Sequence, residues 1–503
     1  VAPDKKPKPK VADDFQFAGA YVADPQKGKH DWVFDLDVTS MYPSVIMSLN
    51  ISPETKLGKL TEWEPQDFIR EVEKTYVIQD DYENEVASMS YSDFKEYVTE
   101  NKISISANGV LYRNDKAGLI PAILSKWFDE RVEYRKLAKK YGNDGNTERY
   151  EYFDRRQLIQ KIMLNSLYGV LGLSVFRFYD IDNAEATTLT GQSLIKFSRT
   201  ITNHFYNEQL GTDEDYVIYI DTDSIFASAL PLVKHRYPNE NVNSKPMMTK
   251  RILSIASELQ GYLNNSYDYF AEKFCNIKEH KFEIKQEVIG ISGLFIAKKR
   301  YGMKIINDNG VEVNKMMVKG IDTVRSNFPK ACGKLLKEVL DDVLANVPKD
   351  KIDERILNFK SSMNTMPIDN ISMPTGVKSL SKYVERKTKN QTFSTFKSGA
   401  PVHVKSAVNY NDLLLHFEIS KQYLFISSAE KIRWVYLTKN PLGIESLAYK
   451  GYEDPKEILQ YIRDYIDYEK MYDKNLFRKI MMFYEAMGWS KPVDKQFTLE
   501  RFF

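Results

Sequence analysis

The sequence predicts an α+β protein built from several lobes, and three observations carry that reading. A chain of 503 residues is too long for one compact core, and domains of roughly 100 to 200 residues imply about three of them. Short β-rich runs and long helical stretches both occur along it. Hydrophobic residues reach 43% beside 28% charged, and the 13% aromatic share, with 32 Tyr and 27 Phe, supplies material for a large core. No internal repeat or long low-complexity segment interrupts this pattern.

In chain order, the opening VAPDKKPKPK is a Lys/Pro stretch expected to stay extended and solvated. It starts with Val1 rather than Met, as a fragment or processed piece would. The run VFDLD (33 to 37) reads as a strand leading into TSMYPSVIMSLN, where Thr39 or Ser40 can cap a helix that Pro43 helps begin. From Leu119 to Tyr141, Ile120, Ile123, Leu124, Trp127, Tyr134, Leu137 and Ala138 recur at helical spacing until GNDGN (142 to 146) breaks the run. A second helix over about 148 to 168 completes a helical hairpin with basic residues on both arms. YVIYI (216 to 220) and SIFAS (224 to 228) read as strands joined by an acidic tight turn, and 282 to 306 as successive strands. From about 331 the pattern is mainly helical with a basic loop region.

Composition excludes several classes. Lys plus Arg minus Asp plus Glu is 71 − 69 = +2, so a nucleic-acid partner would have to be recognised by local clusters rather than global charge. Cys275 and Cys332 alone make neither a disulfide framework nor a zinc site, which fits a reducing cytosol. No apolar run approaches the roughly 20 residues of a membrane helix, so the expectation is a cytoplasmic protein without membrane contact.

The chemistry concentrates in acidic residues on separate elements. Asp37 follows the first strand, and Asp221 and Asp223 sit at the hairpin tip; converging carboxylates are the hard oxygen ligands that divalent cations prefer. Two such cations about 3.5 to 4 Å apart serve in-line displacement at phosphorus. A lone DTD is usually a turn in which Asp caps backbone amides. Here it has company. DVTSMYPS (37 to 44), KIMLNSLYG (161 to 169) and YIDTDS (219 to 224) occur in this order. Together they resemble the three motifs of family B DNA polymerases. SANGVLYRNDKAGLIPAILSKWFDERVEYRK (106 to 136) and KKRY (298 to 301) are similar to the replicative polymerases of T-even-type bacteriophages. The likeness covers about residues 18 to 503 and is strongest before 330.

The resemblance implies a right-hand polymerase: an N-terminal segment 1 to 18, palm at 19 to 117 and 172 to 330, fingers at 118 to 171, thumb at 331 to 490, and a clamp-binding tail at 491 to 503. It implies DNA-templated addition of deoxynucleotides to a primer 3′ end with two Mg²⁺ ions, for which Mn²⁺ can substitute. Asp37 and Asp223 would bridge the metals, the Val38 carbonyl would complete a site, and Asp221 would be an outer partner. Ser40, Met41 and Tyr42 would hold the nucleotide, with the Tyr42 ring under the sugar excluding a 2′-hydroxyl. Lys161, Asn165 and Tyr168 fall at i, i+4 and i+7 on one helical face. Lys161 and Asn165 would serve the nucleotide, while Tyr168 with Gly169 would pack on the nascent base pair.

Arg131 and Arg135 match the second pair of triphosphate-binding cations, although relatives usually carry Lys at position 135, and a planar fork replaces a point charge there. Ile220 stands where a Gly is frequent. Lys298, Lys299, Arg300 and Tyr301 would track the duplex without reading its sequence. Glu287 fits the place of an additional carboxylate nearby. Residues 378 to 405 hold seven Lys or Arg against Glu385 alone, as a thumb gripping phosphates would.

The ending QFTLERFF carries Gln496, Leu499, Phe502 and Phe503 in the pattern of peptides that dock on a sliding clamp. The expected partners are therefore primer–template DNA, deoxynucleoside triphosphates and a clamp. Only 36 residues precede Asp37, too few for the exonuclease domain relatives place there, so proofreading would need a separate exonuclease-bearing chain. Rival readings are an RNA-making or reverse-transcribing palm protein, against which Tyr42 argues, and a non-catalytic DNA-binding scaffold that tethers a clamp.

Overall fold

The computed structural model describes residues 18–323, 325–385 and 393–492. The fold is α+β, and it divides into two compact units. The first takes residues up to 26, 31–291 and 305–314; the second takes 27–30, 292–304 and the chain from 315 onward. The division therefore falls inside a strand meander near 291–315, whereas the sequence placed a lobe boundary near 330.

The first unit opens with β1 (Gly28–Val38) and α1 (Met41–Leu49). Val33, Phe34, Leu36 and Val38 of β1 are fully buried, the near-continuous apolar burial of a strand covered on both faces. A side sheet follows, β2 (Lys56–Leu60), β3 (Tyr76–Gln79), β4 (Glu85–Met89), β5 (Ile103–Ile105) and β6 (Val110–Arg113), in order β4-β3-β2-β6-β5. With α2 (Pro65–Ile69) and α3 (Tyr91–Glu100) it encloses its own core of Leu60, Phe68, Tyr76, Phe94 and Ile105. Sequence reading did not find this sheet, because its strands are short and broken by polar turns.

Next come the helical hairpin α4 (Leu119–Asn143) and α5 (Thr147–Leu171), the long α6 (Ile181–Leu210), the hairpin β7 (Val217–Asp221) and β8 (Ser224–Ser228), α7 (Leu230–Arg236) and α8 (Lys245–Cys275). The meander β9 (Ile284–Ala297), β10 (Arg300–Asp308) and β11 (Val311–Lys319) completes a sheet of order β11-β10-β9-β1-β8-β7. α4 ends at Asn143, within the expected break GNDGN, and the Asn146 side chain then caps α5 by accepting from the Arg149 amide.

The start of α1 differs from expectation. Ser40 lies in the left-handed region at φ 48° and makes no side-chain cap; its hydroxyl instead accepts from Arg131 Nη1 at 3.2 Å. Pro43 is the third helical residue, where its missing N–H is one the helix leaves unbonded anyway. At the other end, Asn50 takes φ 57°. Its Nδ2 donates to the carbonyls of Arg113 (2.6 Å) and Lys116 (2.9 Å), and its Oδ1 accepts from the Gly118 amide (2.8 Å). Gly118 precedes α4, so one amide side chain fixes where α4 begins. Asn50→Ala removes three hydrogen bonds of a buried side chain and the residue type that tolerates this backbone, and should cost about 2 to 4 kcal/mol. A melting temperature unchanged by the substitution would contradict that role.

The second unit contains α9 (Lys330–Leu344), α10 (Lys349–Ser362), α11 (Ile368–Ile371), β12 (Met373–Gly376), α12 (Leu380–Tyr383), α13 (Val402–His416), β13 (Lys431–Tyr436), β14 (Ser446–Tyr449), α14 (Lys456–Tyr465), α15 (Tyr468–Tyr472) and α16 (Arg478–Ala486). It is mainly helical, as read, but a three-stranded sheet β12-β13-β14 is added to it. Leu336, Leu340, Leu413, Val435 and Phe483 form its core, and the buried Tyr484 hydroxyl donates to Asp353 at 2.5 Å, tying α16 to α10.

Candidate active site

Strand pairing brings the two acids of the first and third motifs together. β1 runs antiparallel to β8 with Leu36 opposite Ile225 and Asp37 opposite Ser224. Beyond that pair, the Val38 amide donates to the Asp223 carbonyl at 2.9 Å. Ser224 Oγ donates to Asp37 Oδ2 at 2.7 Å. The β7–β8 turn is Thr222-Asp223, two residues long, with Thr222 at φ 68°. Positive φ suits such a turn but strains a β-branched residue. The Thr222 amide donates to the Tyr21 carbonyl at 3.1 Å, and Val22 bridges to Asp221. Residues 21 and 22 thus brace the acidic turn, a support that no sequence motif announced.

Burial and then the neighbouring charge of Asp223 raise the Asp37 carboxyl well above the usual carboxylate range. Asp35, left outside the site by the sequence reading, is a buried carboxyl that accepts from the Glu287 and Val288 amides at 3.2 and 2.6 Å. Burial pushes it up to about 7. It joins β1 to β9 and does not line the cleft.

Above the acid pair lies a cleft of about 440 Å³ lined by Asp37, Ser40, Met41, Tyr42, Arg131, Arg135, Lys161, Asn165, Tyr168, Asp223 and Glu287, a size that suits a small ligand. Tyr42 and Tyr168 stack with centroids 4.3 Å apart and planes 30° from parallel. Lys161 and Asn165 stand exposed on α5. Gly169 faces open space, with nothing within 4 Å of where a Cβ would sit. Burial and the charge of Arg135 hold the Arg131 guanidinium below its ordinary value. The cleft therefore has carboxylates that repel one another on one side and guanidiniums that repel one another on the other. A bound cation relieves the first and a bound polyanion the second.

Whether the donors suit a metal can be judged from this geometry. Among the described residues no three His, Cys, Asp or Glu side chains converge on one point. Asp221 ends β7, and neither it nor the buried Val38 is among the residues lining the cleft. A carboxylate pair is nevertheless the donor set that Mg²⁺ uses when substrate phosphates and water complete its shell, and Asp37 with Asp223 fit it. Lys285, Gln286, Thr39, Pro43 and Asn309 also line the cleft. Of these, Asn309 reaches it because its amide donates to the Glu287 carbonyl at 2.6 Å, fastening the β10–β11 turn to β9. That juxtaposition depends on strand register, and no local pattern in the sequence carries it.

The raised carboxyls fix the sign of a pH effect. Each holds its proton more tightly folded than unfolded, so the stability it adds is complete below the ordinary carboxylate range and is lost as pH rises through the raised value. Without divalent cation, the melting temperature should fall between mildly acidic and mildly alkaline pH, less so in Asp37→Asn, and Mg²⁺ should offset the fall by binding the ionised pair. Melting indifferent to Mg²⁺ at alkaline pH would count against a cation site.

Lys298 and Lys299 form the β9–β10 turn in the second unit and Arg300 starts β10, all three exposed. Gly320 at φ 66° backs this turn, where a Cβ would collide with the Lys299 carbonyl. Tyr301 departs from its expected surface role: its ring is buried and stacks on Phe295 at 5.5 Å. Gln496, Leu499, Phe502 and Phe503, the opening Lys/Pro stretch and 386–392 of the basic loop lie outside the described residues. Among the described residues no helix is long and apolar enough to cross a membrane.

Comparison with known proteins identifies the family. The family model described as DNA polymerase family B matches residues 1–487. The chain is similar to a DNA-directed DNA polymerase of Enterobacteria phage T4, 25% identical over 94% of the chain and 55% of that protein. It is also similar to a DNA-directed DNA polymerase of Escherichia phage RB69, 27% identical over 65% of the chain and 40% of the relative. DNA polymerase 1 of Pyrococcus abyssi is 25% identical over 68% of the chain and 33% of the relative. The chain thus spans about half the length of the T4 relative and less of the others.

Proposed function

The chain belongs to DNA polymerase family B, and from that premise we propose that it extends a DNA primer by templated addition of deoxynucleotides. The observation that carries this reading is the pairing of β1 with β8, which sets Asp37 beside Asp223 under a cleft bearing Arg131, Arg135 and Lys161. In this reading the first unit supplies the fingers (118 to 171) and most of the palm (19 to 117, 172 to 330), and the second supplies the rest of the palm together with the thumb (331 to 490). The tail with Gln496, Leu499, Phe502 and Phe503 docks a sliding clamp.

Asp37 and Asp223 would hold two divalent cations, Mg²⁺ or Mn²⁺, with the Val38 carbonyl and Asp221 as further donors. When bound, such ions acidify the attacking hydroxyl and offset charge on the phosphates. The side chains do the rest. Arg131, Arg135 and Lys161 grip the triphosphate, and with Ser40 holding Arg131 at 3.2 Å the guanidinium is aimed before substrate arrives. Asn165, on the same face of α5, serves the nucleotide, and Tyr168 with Gly169 bears on the nascent base pair. The Tyr42 ring, stacked on Tyr168, floors the sugar site, so a 2′-hydroxyl meets carbon rather than a hydrogen-bond partner. Lys298, Lys299 and Arg300 contact duplex phosphates.

Lys161→Ala tests the nucleotide half of the assignment. The KM for deoxynucleotides should rise roughly 10- to 100-fold, as loss of one charged contact to phosphate would cause, with duplex affinity unchanged. A normal KM would remove Lys161 from the site.

A further inference from the structure

The Tyr42 ring is held from two sides, and one of them is a glycine. α6 packs against α1 and carries a buried line of small residues, Ala184, Thr187, Thr188 and Gly191. A Cβ on Gly191 would lie 3.1 Å from Met41 Cε, 3.2 Å from Tyr42 Cε1 and 3.4 Å from Tyr42 Cδ1. Glycine in mid-helix weakens a helix relative to alanine, and Gly191 has no positive φ that would require it. What the residue provides is close approach. On its other side the ring stacks on Tyr168 at 4.3 Å. α6 is also anchored at this level, because Thr190 Oγ accepts from the Ala107 amide at 3.0 Å. With α6 behind and Tyr168 against its face, the direction left to the ring is the cleft.

We propose that Gly191 is a positioning residue that sets how far the Tyr42 ring projects into the sugar site, and so tunes both deoxynucleotide fit and ribonucleotide exclusion. The inference rests on the sugar-floor reading of Tyr42. A methyl group at position 191 advances the ring by a few tenths of an ångström, which narrows the space for any sugar.

The test is single-nucleotide extension with deoxy- and ribonucleotides. Gly191→Ala should raise the deoxynucleotide KM roughly five-fold with a smaller change in kcat, a displacement well short of the 1 Å that costs about a hundred-fold. Gly261→Ala is the matched control, since that mid-helix glycine of α8 has nothing within 4 Å; it should leave both constants unchanged. The effect of Gly191→Ala should persist in a Tyr42→Phe background, which keeps the ring, and vanish in Tyr42→Ala, which removes it. An equal rise in the Tyr42→Ala background, or none in the otherwise native chain, would overturn the inference. Failure of the sugar-floor reading looks different: Tyr42→Ala alone would leave ribonucleotide exclusion intact. Should Gly191→Ala not fold, Thr190→Val frees α6 to recede and should weaken ribonucleotide exclusion several-fold with deoxynucleotide kcat kept. Unchanged selectivity in that variant would also overturn the proposal.

Discussion

Asp37→Ala should lower the rate of magnesium-dependent primer extension by at least about 10³-fold, since several kcal/mol of charge stabilisation depend on the ligands that hold the cations. Asp223→Ala should do the same. Neither substitution touches the exposed Lys298, Lys299 or Arg300, so affinity for primer–template duplex should stay close to that of the native chain. The variants should also be no less stable at neutral pH, because each deletes one member of a half-buried pair of carboxyls that repel one another. The Ser224 hydroxyl, which donates to Asp37 at 2.7 Å, offsets part of that repulsion. Loss of extension together with loss of folding would therefore point to a structural role for the pair.

Tyr42→Ala should relax the choice of sugar. Excluding a 2′-hydroxyl by collision is discrimination built against the wrong substrate. Removing the ring should raise ribonucleotide incorporation roughly 100-fold, the equivalent of about 2.7 kcal/mol, while deoxynucleotide incorporation falls far less. Tyr42→Phe keeps the ring and should keep most of the exclusion. If the phenylalanine variant were as permissive as the alanine one, the hydroxyl rather than the ring would be the discriminating group.

The parts of this site legible in the sequence were those written in local pattern. Asp37 after an apolar strand, the i, i+4, i+7 face of Lys161, Asn165 and Tyr168, and the DTD turn each follow from periodicity or turn chemistry, and the structure gathers all but Asp221 and Thr222 of these into one cleft. What escaped was set by long-range geometry. Tyr21 and Val22 brace the acidic turn from about 200 residues away along the chain. Asn309 enters the cleft through strand register, Asn50 fixes the start of α4 through three side-chain hydrogen bonds, and Gly191 acts by what it lacks. Ser40 shows a local rule overridden: a residue with the composition of a cap spends its hydroxyl on Arg131 instead. Tyr301 shows the opposite failure, where a basic-aromatic pattern suggested a surface and the ring belongs to a core.

The central claim is that Asp37 and Asp223 act as one unit. Single-turnover extension with Mg²⁺, compared among the native chain, Asp37→Ala, Asp223→Ala and the double variant, tests it most directly. Groups that share one function are non-additive, so the double variant should be about as slow as either single one. Losses that multiply in the double variant, or a native chain that fails to extend a primer at all, would contradict the account.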